Sequence, residues 1–341
     1  MPSPIDVAHD RFVRAQRLVL RFLRLVLAFA ALVGACAAPL FAQGDYPSRP
    51  IRIVVPFPPG AGTDTIARFI AQKLGDGMNT PVIVENKTGA GGAIGAIEVA
   101  KADADGYTLL FIASPFTTVA AASRNAGYDP VAQFAPVASI AAGPLAFVVG
   151  RDVPANTMRE FIALARAQPG KLNYGSAGTA GINHLALELL KARTGVDIVH
   201  IPYRGIADAT KDLISGQIQV MTASIPATLP YLADRRVKVL AVTGSRPVAL
   251  LPGVPSWQDV VPNAEVINYW GVVAPAGTPR ELVARLNAEM QRILAQPDVQ
   301  ARLAREGVDV VAGPPERLAA LIDGDLASWK KLIAEVRLTL D

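Results

Sequence analysis

Cysteine is almost absent from this 341-residue chain: one occurs, Cys36, near the N-terminus. A single thiol cannot close a disulfide, so no covalent staple is available. Histidine is nearly as scarce, with His9, His184 and His200. There is no cysteine cluster and no histidine pair at helical spacing, so no metal site and no cofactor are expected. Aromatics make up only 6% of residues. No basic stripe interleaved with aromatics occurs, which argues against nucleic acid as a partner. The charge imbalance is local. Residues 1–42 hold five arginines and two aspartates; taking these from the totals of 33 and 29 leaves 28 basic against 27 acidic residues.

What the N-terminus does have is an Arg-bearing leader, RFVRAQRLVLRFLR, followed by LVLAFAALVGACAAPLFA. The apolar run is short and shades into small residues, which reads as a signal peptide over residues 1–42, with cleavage after Ala42. A membrane anchor is the alternative, but a spanning helix wants about 20 clearly apolar residues. The stretch VGAC, ending at Cys36, also fits a lipoprotein processing box, so lipid anchoring at Cys36 stays open.

The whole chain is 51% hydrophobic, as in a globular α/β protein. IRIVVPF is an unbroken β-branched run, expected for a strand buried on both faces. Pro58, Pro59, Gly60 and Gly62 break it, and Thr63 or Asp64 is placed to cap the helix that follows. PVIVEN and YTLLFIAS are further strands, with a glycine turn and helix between them, so the segment reads β-α-β-α-β. The same grammar repeats through PLAFVVG, LNYG, DIVHIPY, QIQVMTAS, VKVLAVTG and YWGVVAPAG. From Pro315 onward, Leu318, Leu321, Ile322, Leu326, Trp329, Leu332, Ile333 and Val336 predict an amphipathic terminal helix. Two α/β domains are expected, 44–145 plus 268–341 and 146–267, with a ligand cleft between them. The chain should cross near Leu145–Gly150 and return near Val266–Val273.

Ser176 raises the question of catalysis. A nucleophile elbow needs G-x-S-x-G, and Tyr174 stands where the first glycine belongs. His184 is expected about two turns into the next helix, pointing along its side rather than back at Ser176. No catalytic residue is assigned. Gly89, Gly91 and Gly95 follow a strand at G-x-G-x-x-x-G spacing, which is not the dinucleotide fingerprint.

What remains is a set of small, neutral loops at strand ends: PFPPGAGTDT, FIASPFTT, NYGSAGTAG, IPYRGIAD and MTAS. Helix N-termini behind such loops present unsatisfied N–H groups and about half a positive charge. They read as an anion cradle for an organic acid. Its expected ligand-binding residues are Phe57, Gly60, Gly62, Thr63, Asp64, Ser114, Ser176, Ala177, Gly178, Thr179, Tyr203, Arg204 and Thr222. Asp64 is read either as a contact through water or as a helix cap paired with Arg68. Arg204 is read either as the partner of a second carboxylate or as a solvated residue. Phe57, Phe116 and Tyr203 are expected to form an apolar wall.

These segments, with YPSRPIRIVVPFPPGAGTDTIAR, VIVENKTGAGGAIGA, QPGKLNYGSAGTAGINHLALELLK, IPYRGIADATKDLISGQIQV, LAVTGSRPVALLPGVPSWQD and WGVVAPAGTPRELVARLN, closely resemble the Bug receptors. Those are the extracytoplasmic solute-binding proteins of tripartite tricarboxylate transporters. The resemblance runs from about Tyr46 to the C-terminus. It implies a two-domain periplasmic-binding-protein fold, type II, with two crossover strands and a Venus-flytrap cleft. It also implies a periplasmic monomer that binds a small carboxylate and delivers it to membrane permease subunits. In the family one ligand carboxylate sits between the first strand–helix loop and the GSAG-type loop, here Phe57–Asp64 and Ser176–Thr179. By that resemblance Ser176 donates a hydrogen bond to ligand. The chain departs from the family at Gly60-Ala61-Gly62 and at Ala180-Gly181-Ile182-Asn183, where the family often carries a hydroxyl. A sensor subunit feeding a two-component system, and more remotely a serine hydrolase using Ser176, are the competing readings.

Overall fold

The computed structural model describes residues 46–123, 125–262 and 264–336. The expected signal peptide, Cys36 and His9 lie outside the described residues. The chain divides into two compact units, Met1–Ser48 and Arg49–Asp341. The architecture below is that of the second.

β1 (Ile51–Val55) is the buried β-branched run, with four of its five residues fully or nearly fully covered. It pairs in parallel with β2 (Val82–Asn86) on one side and β3 (Thr108–Ala113) on the other. α1 (Gly62–Met78) and α2 (Ala93–Ala100) make the two crossovers. This is the expected β-α-β-α-β segment. A parallel neighbour cannot be reached by a tight turn, which is why a helix lies between each pair.

β3 then pairs antiparallel with β9 (Ile267–Pro275), and β9 with the first part of β4 (Phe134–Gly150). β4 changes partners along its length. Phe134–Pro144 lies against β9, whereas Leu145–Gly150 lies against β7 (Val220–Ser224) and β8 (Val237–Val242). β7 pairs in parallel with β5 (Leu172–Ser176), and β5 with β6 (Ile198–Pro202). The order is β2-β1-β3-β9-β4-β7-β5-β6, a mixed α/β sheet.

The 17-residue length of β4 was not expected; only PLAFVVG suggested a strand. Its first ten residues, FAPVASIAAG, carry a proline and mostly small side chains, which have weak strand preference. Register shifts between Pro136 and Ala138 and between Ser139 and Ala141 let the ladder absorb them. Helix α3 (Pro115–Ala122) begins inside FIASPFTT, expected as a loop, and α7 (Ile225–Ala233) follows the MTAS loop where no helix is expected; both begin with hydroxyl- and proline-bearing stretches.

The terminal helix α10 (Pro315–Val336) is amphipathic as expected. Its Leu318 and Ile322 join the core around Phe116, Tyr128 and Phe134. Its Trp329 and Leu332 join a second core, with Leu185 and Leu189 of α5 (Ile182–Thr194). One helix thus packs into both cores. Midway between them, Asp325 meets Thr117 of α3, and Thr117 also meets the Tyr269 hydroxyl at 2.9 Å. Burial pushes the Asp325 carboxyl up to about 6.

Candidate functional site

The loop from β1 into α1 is organised by Asp64. The helix starts earlier than expected, with Ala61 at the N-cap and no side chain capping it. Asp64, 2% exposed, reaches backward instead. One carboxylate oxygen accepts from Gly60 N at 2.8 Å and Arg68 Nε at 2.9 Å; the other accepts from Asn86 Nδ2 at 2.8 Å. Asn86 Nδ2 also donates to the Phe57 carbonyl at 2.9 Å, so β2 holds both ends of the loop. Burial favours the neutral acid, but the hydrogen bonds from Arg68, Asn86 and Gly60 outweigh it and hold the Asp64 carboxyl below its ordinary value. Gly60 has φ 79°, a conformation that a side chain would strain. Thr63 is fixed from β9, accepting from Trp270 Nε1 at 3.0 Å.

The loop from β5 into α5 is organised by two histidines. Ser176 ends β5 fully buried. Its Oγ lies 2.9 Å from the Gly178 carbonyl and 2.7 Å from His200 Nε2. Its carbonyl accepts from Tyr203 N at 3.0 Å. Gly178 has φ 113° and Ala180 φ 63°. α5 begins at Ile182, so His184 stands in the first turn, not two turns in. Its Nδ1 turns back to accept the Ala180 N–H at 3.1 Å. The imidazoles of His184 and His200 stack with centroids 3.9 Å apart, and His200 stacks on Tyr174 at 4.9 Å. Tyr174 donates to Glu188 at 2.5 Å, and Lys191 pairs with the same carboxylate oxygen at 2.7 Å. Burial lowers both imidazoles, His200 to about 4 with further help from His184. As at α1, the N-cap residue of α5, Gly181, has no side-chain cap.

The remaining expected residues are scattered in role. Ser114 is fully buried; its hydroxyl accepts from Tyr269 N at 3.0 Å and donates to the Ile267 carbonyl at 3.3 Å, fastening β9 to the end of β3. Thr222 is buried, and Asn183 Nδ2 donates to its carbonyl at 2.7 Å. Tyr203 is half-buried and its hydroxyl donates to Asp212 at 2.8 Å; burial and that carboxylate push the phenol up to about 12. Arg204, Ala177 and Thr179 are exposed, as are Gly60 and Gly62. Phe57 is half-buried. Phe116 does not join it in a wall: it packs inside the core against Tyr128 and Phe134, at 5.4 and 5.1 Å. A long apolar side chain just after a strand end reads the same in sequence whether it faces core or solvent.

Sequence reasoning missed Asn86, His200, Asn183 and Trp270. The pairing of Tyr174 with His200 across β5 and β6 was the accessible signal, because Ser176 then shares a face with that histidine. Among the described residues no group of three His, Cys, Asp or Glu gathers as a metal site. No described helix is long and apolar enough to cross a membrane.

The chain thus combines a mixed α/β sheet, a long strand shared between two sets of partners, and glycine loops feeding uncapped helices. Residues 66–338 match the model of the tripartite tricarboxylate transporter family receptors, and the chain belongs to that family. It is 32% identical to protein BugT of Bordetella pertussis, over 88% of this chain and 92% of that one. Among solved structures it resembles Rpa4515 of R. palustris, solved with adipate, at TM-score 0.80 and 32% identity, over 86% of this chain and 99% of that one. It also resembles MatC of Rhodopseudomonas palustris, solved with bound malate, at TM-score 0.77 and 31% identity, over 84% and 100%. The family is one of receptors, and a further solved structure it resembles is the periplasmic binding protein BugD, at TM-score 0.78 and 33% identity, over 86% of this chain and 99% of that one.

Proposed function

We propose that the chain is a periplasmic receptor that captures a small organic carboxylate and delivers it to the membrane permease subunits of a tripartite tricarboxylate transporter. The observation that carries this reading is the pair of uncapped helix N-termini, at Ala61 and Gly181, each behind a loop of small residues at the carboxyl end of a parallel strand. Uncapped starts are common among the described helices, and Thr157, which accepts from Glu160 N at the start of α4 (Met158–Ala167), is an exception; what sets Ala61 and Gly181 apart is the exposed small-residue loop in front of each. Uncapped amides in small-residue loops suit an anionic ligand. The adipate and malate seen in the neighbours support a dicarboxylate.

In this reading residues 44–145 plus 268–341 form one lobe and 146–267 the other. Ligand sits between Phe57–Asp64 and Ser176–Thr179, with Arg204 available to a second carboxylate. The chain acts as a monomer without catalysis, exported by its first 42 residues. The Ser176–His200 pair does not favour a hydrolase, because a fully buried hydroxyl with two partners is a poor nucleophile.

Thermal shift of the purified protein against mono-, di- and tricarboxylates tests the proposal. Ligand at a hundred times its dissociation constant stabilises by about 2.7 kcal/mol. A panel in which no carboxylate raises Tm, followed by calorimetry with no heat of binding, overturns it.

A further inference from the structure

Ser176 Oγ carries one hydrogen and has two partners. The Gly178 carbonyl, at 2.9 Å, only accepts. The serine hydrogen therefore goes to Gly178, and the His200 ring, at 2.7 Å, must donate to Ser176 from Nε2. His184 is fixed by the opposite logic. Its Nδ1 accepts the Ala180 N–H, so that nitrogen bears no hydrogen and its ring carries it on Nε2. Ala180 needs the help: it is a non-glycine residue at φ 63°, a conformation that costs about 1–2 kcal/mol. Residues 176 and 180 are thus each tied to an imidazole, and the two imidazoles stack on each other.

We propose that His200 and His184 are positioning residues of the ligand loop: both neutral and hydrogenated on Nε2, they set the direction of the Ala177–Thr179 amides without touching ligand. The inference rests on the carboxylate reading above. It also gives Ser176 a role different from ligand donor, since its hydrogen is already committed to the loop.

The groups facing the pair are Ser176 and Tyr174 on β5, and Glu188 and Lys191 on α5. Glu188 is held by Tyr174 and Lys191 through one carboxylate oxygen; its charge favours the imidazolium, but burial outweighs it at both rings. A proton on His184 Nδ1 would point at the Ala180 N–H and break the bond. Affinity should therefore stay level from pH 6.5 upward and fall as the pH drops below it, where His184 takes a proton at its lowered value and His200 follows at about 4.

Two measurements test this. The first is imidazole nitrogen NMR on the ligand-free full chain. Both rings are expected neutral and hydrogenated on Nε2 at pH 7; an imidazolium, or a hydrogen on Nδ1 of either ring, overturns the inference. The second is calorimetry with adipate and malate as probes. His184→Asn keeps an acceptor where Nδ1 stood, and His200→Gln keeps a donor where Nε2 stood. His184→Phe and His200→Phe keep a stacking ring and lose the hydrogen bond. The phenylalanine variants should weaken binding by about tenfold, and the amide variants should recover most of that. Phenylalanine variants that bind like wild type, or amide variants as weak as phenylalanine, overturn it. Should wild type bind neither probe, the probe-based half of the functional reading fails, and the NMR result still decides the tautomers and with them the inference.

Discussion

The loop after β1 is fastened by a charge, and the loop after β5 by neutral rings. Asp64 gathers three donors and is balanced by Arg68 on its solvent side. His200 and His184 hold Ser176 and Ala180 with no net charge at all. Both arrangements leave the helix N-terminal amides uncapped. The contrast teaches that a loop proposed to cradle an anion can be rigidified in two ways, provided the brace reaches around the amides rather than occupying them. A charged brace brings its own counter-ion; a neutral one depends on burial to keep its protons off.

Removing the charged brace should have the largest effect. Asp64→Ala takes the acceptor from the Gly60 amide, one of two acceptors from Asn86 and the counter-ion from Arg68, and unfolding in urea should register a loss of about 3 kcal/mol. A loss under 1 kcal/mol would mean the loop holds itself. Acid titration should separate the braces in order. The imidazoles have a folded value below their unfolded one, so the unfolded chain takes up protons first, and stability falls as pH drops from 6.5 toward about 4. The Asp64 contribution survives that window and is lost only as pH falls below 3.8 and through its lowered value. His200→Phe should flatten the upper window and leave the lower one unchanged.

A third, half-buried group behaves in the opposite sense and calibrates the first. Asp325 has a raised value, so the folded state binds its proton up to about pH 6 while the unfolded chain releases it near 3.8. Stability therefore falls as pH rises through that window. Asp325→Asn, which still reaches Thr117, should be more stable than wild type at pH 8 by up to about 3 kcal/mol, and no better at pH 3. Equal melting temperatures at both pH values would show that the carboxyl carries no buried charge.

Within the second loop, Ser176→Ala or Thr179→Val should weaken carboxylate binding by roughly tenfold to a hundredfold with the fold intact. Wild-type affinity in both would move the cradle elsewhere. The smallest expected effect is at Arg204. Its side chain is exposed, so a distal ion pair is worth about 1 kcal/mol or less, and Arg204→Ala should cost a dicarboxylate about fivefold and a matched monocarboxylate nothing. Equal effects on the two acids would leave Arg204 as a solvated residue.

The sequence by itself determined the strands and most of their helices, because β-branched runs, amphipathic spacing and glycine breaks act over a few neighbouring residues. IRIVVPF is β1, the Pro315 helix is α10, and the glycine loops stand at the ends of β1 and β5. It also carried the family, through motifs in the same order along most of the chain. The tertiary structure alone decided which side chains meet. His200 reaches Ser176 across 24 residues, Asn86 reaches Asp64 across 22, and Trp270 reaches Thr63 across 207. It decided too that β4 runs on for 17 residues through two prolines, and that Ser114 and Phe116 serve the interior. The physical reason is the same in each case. Local propensity sets backbone shape residue by residue, whereas a hydrogen-bond partner or a buried face is supplied by another segment, and its position exists only once the sheet has formed.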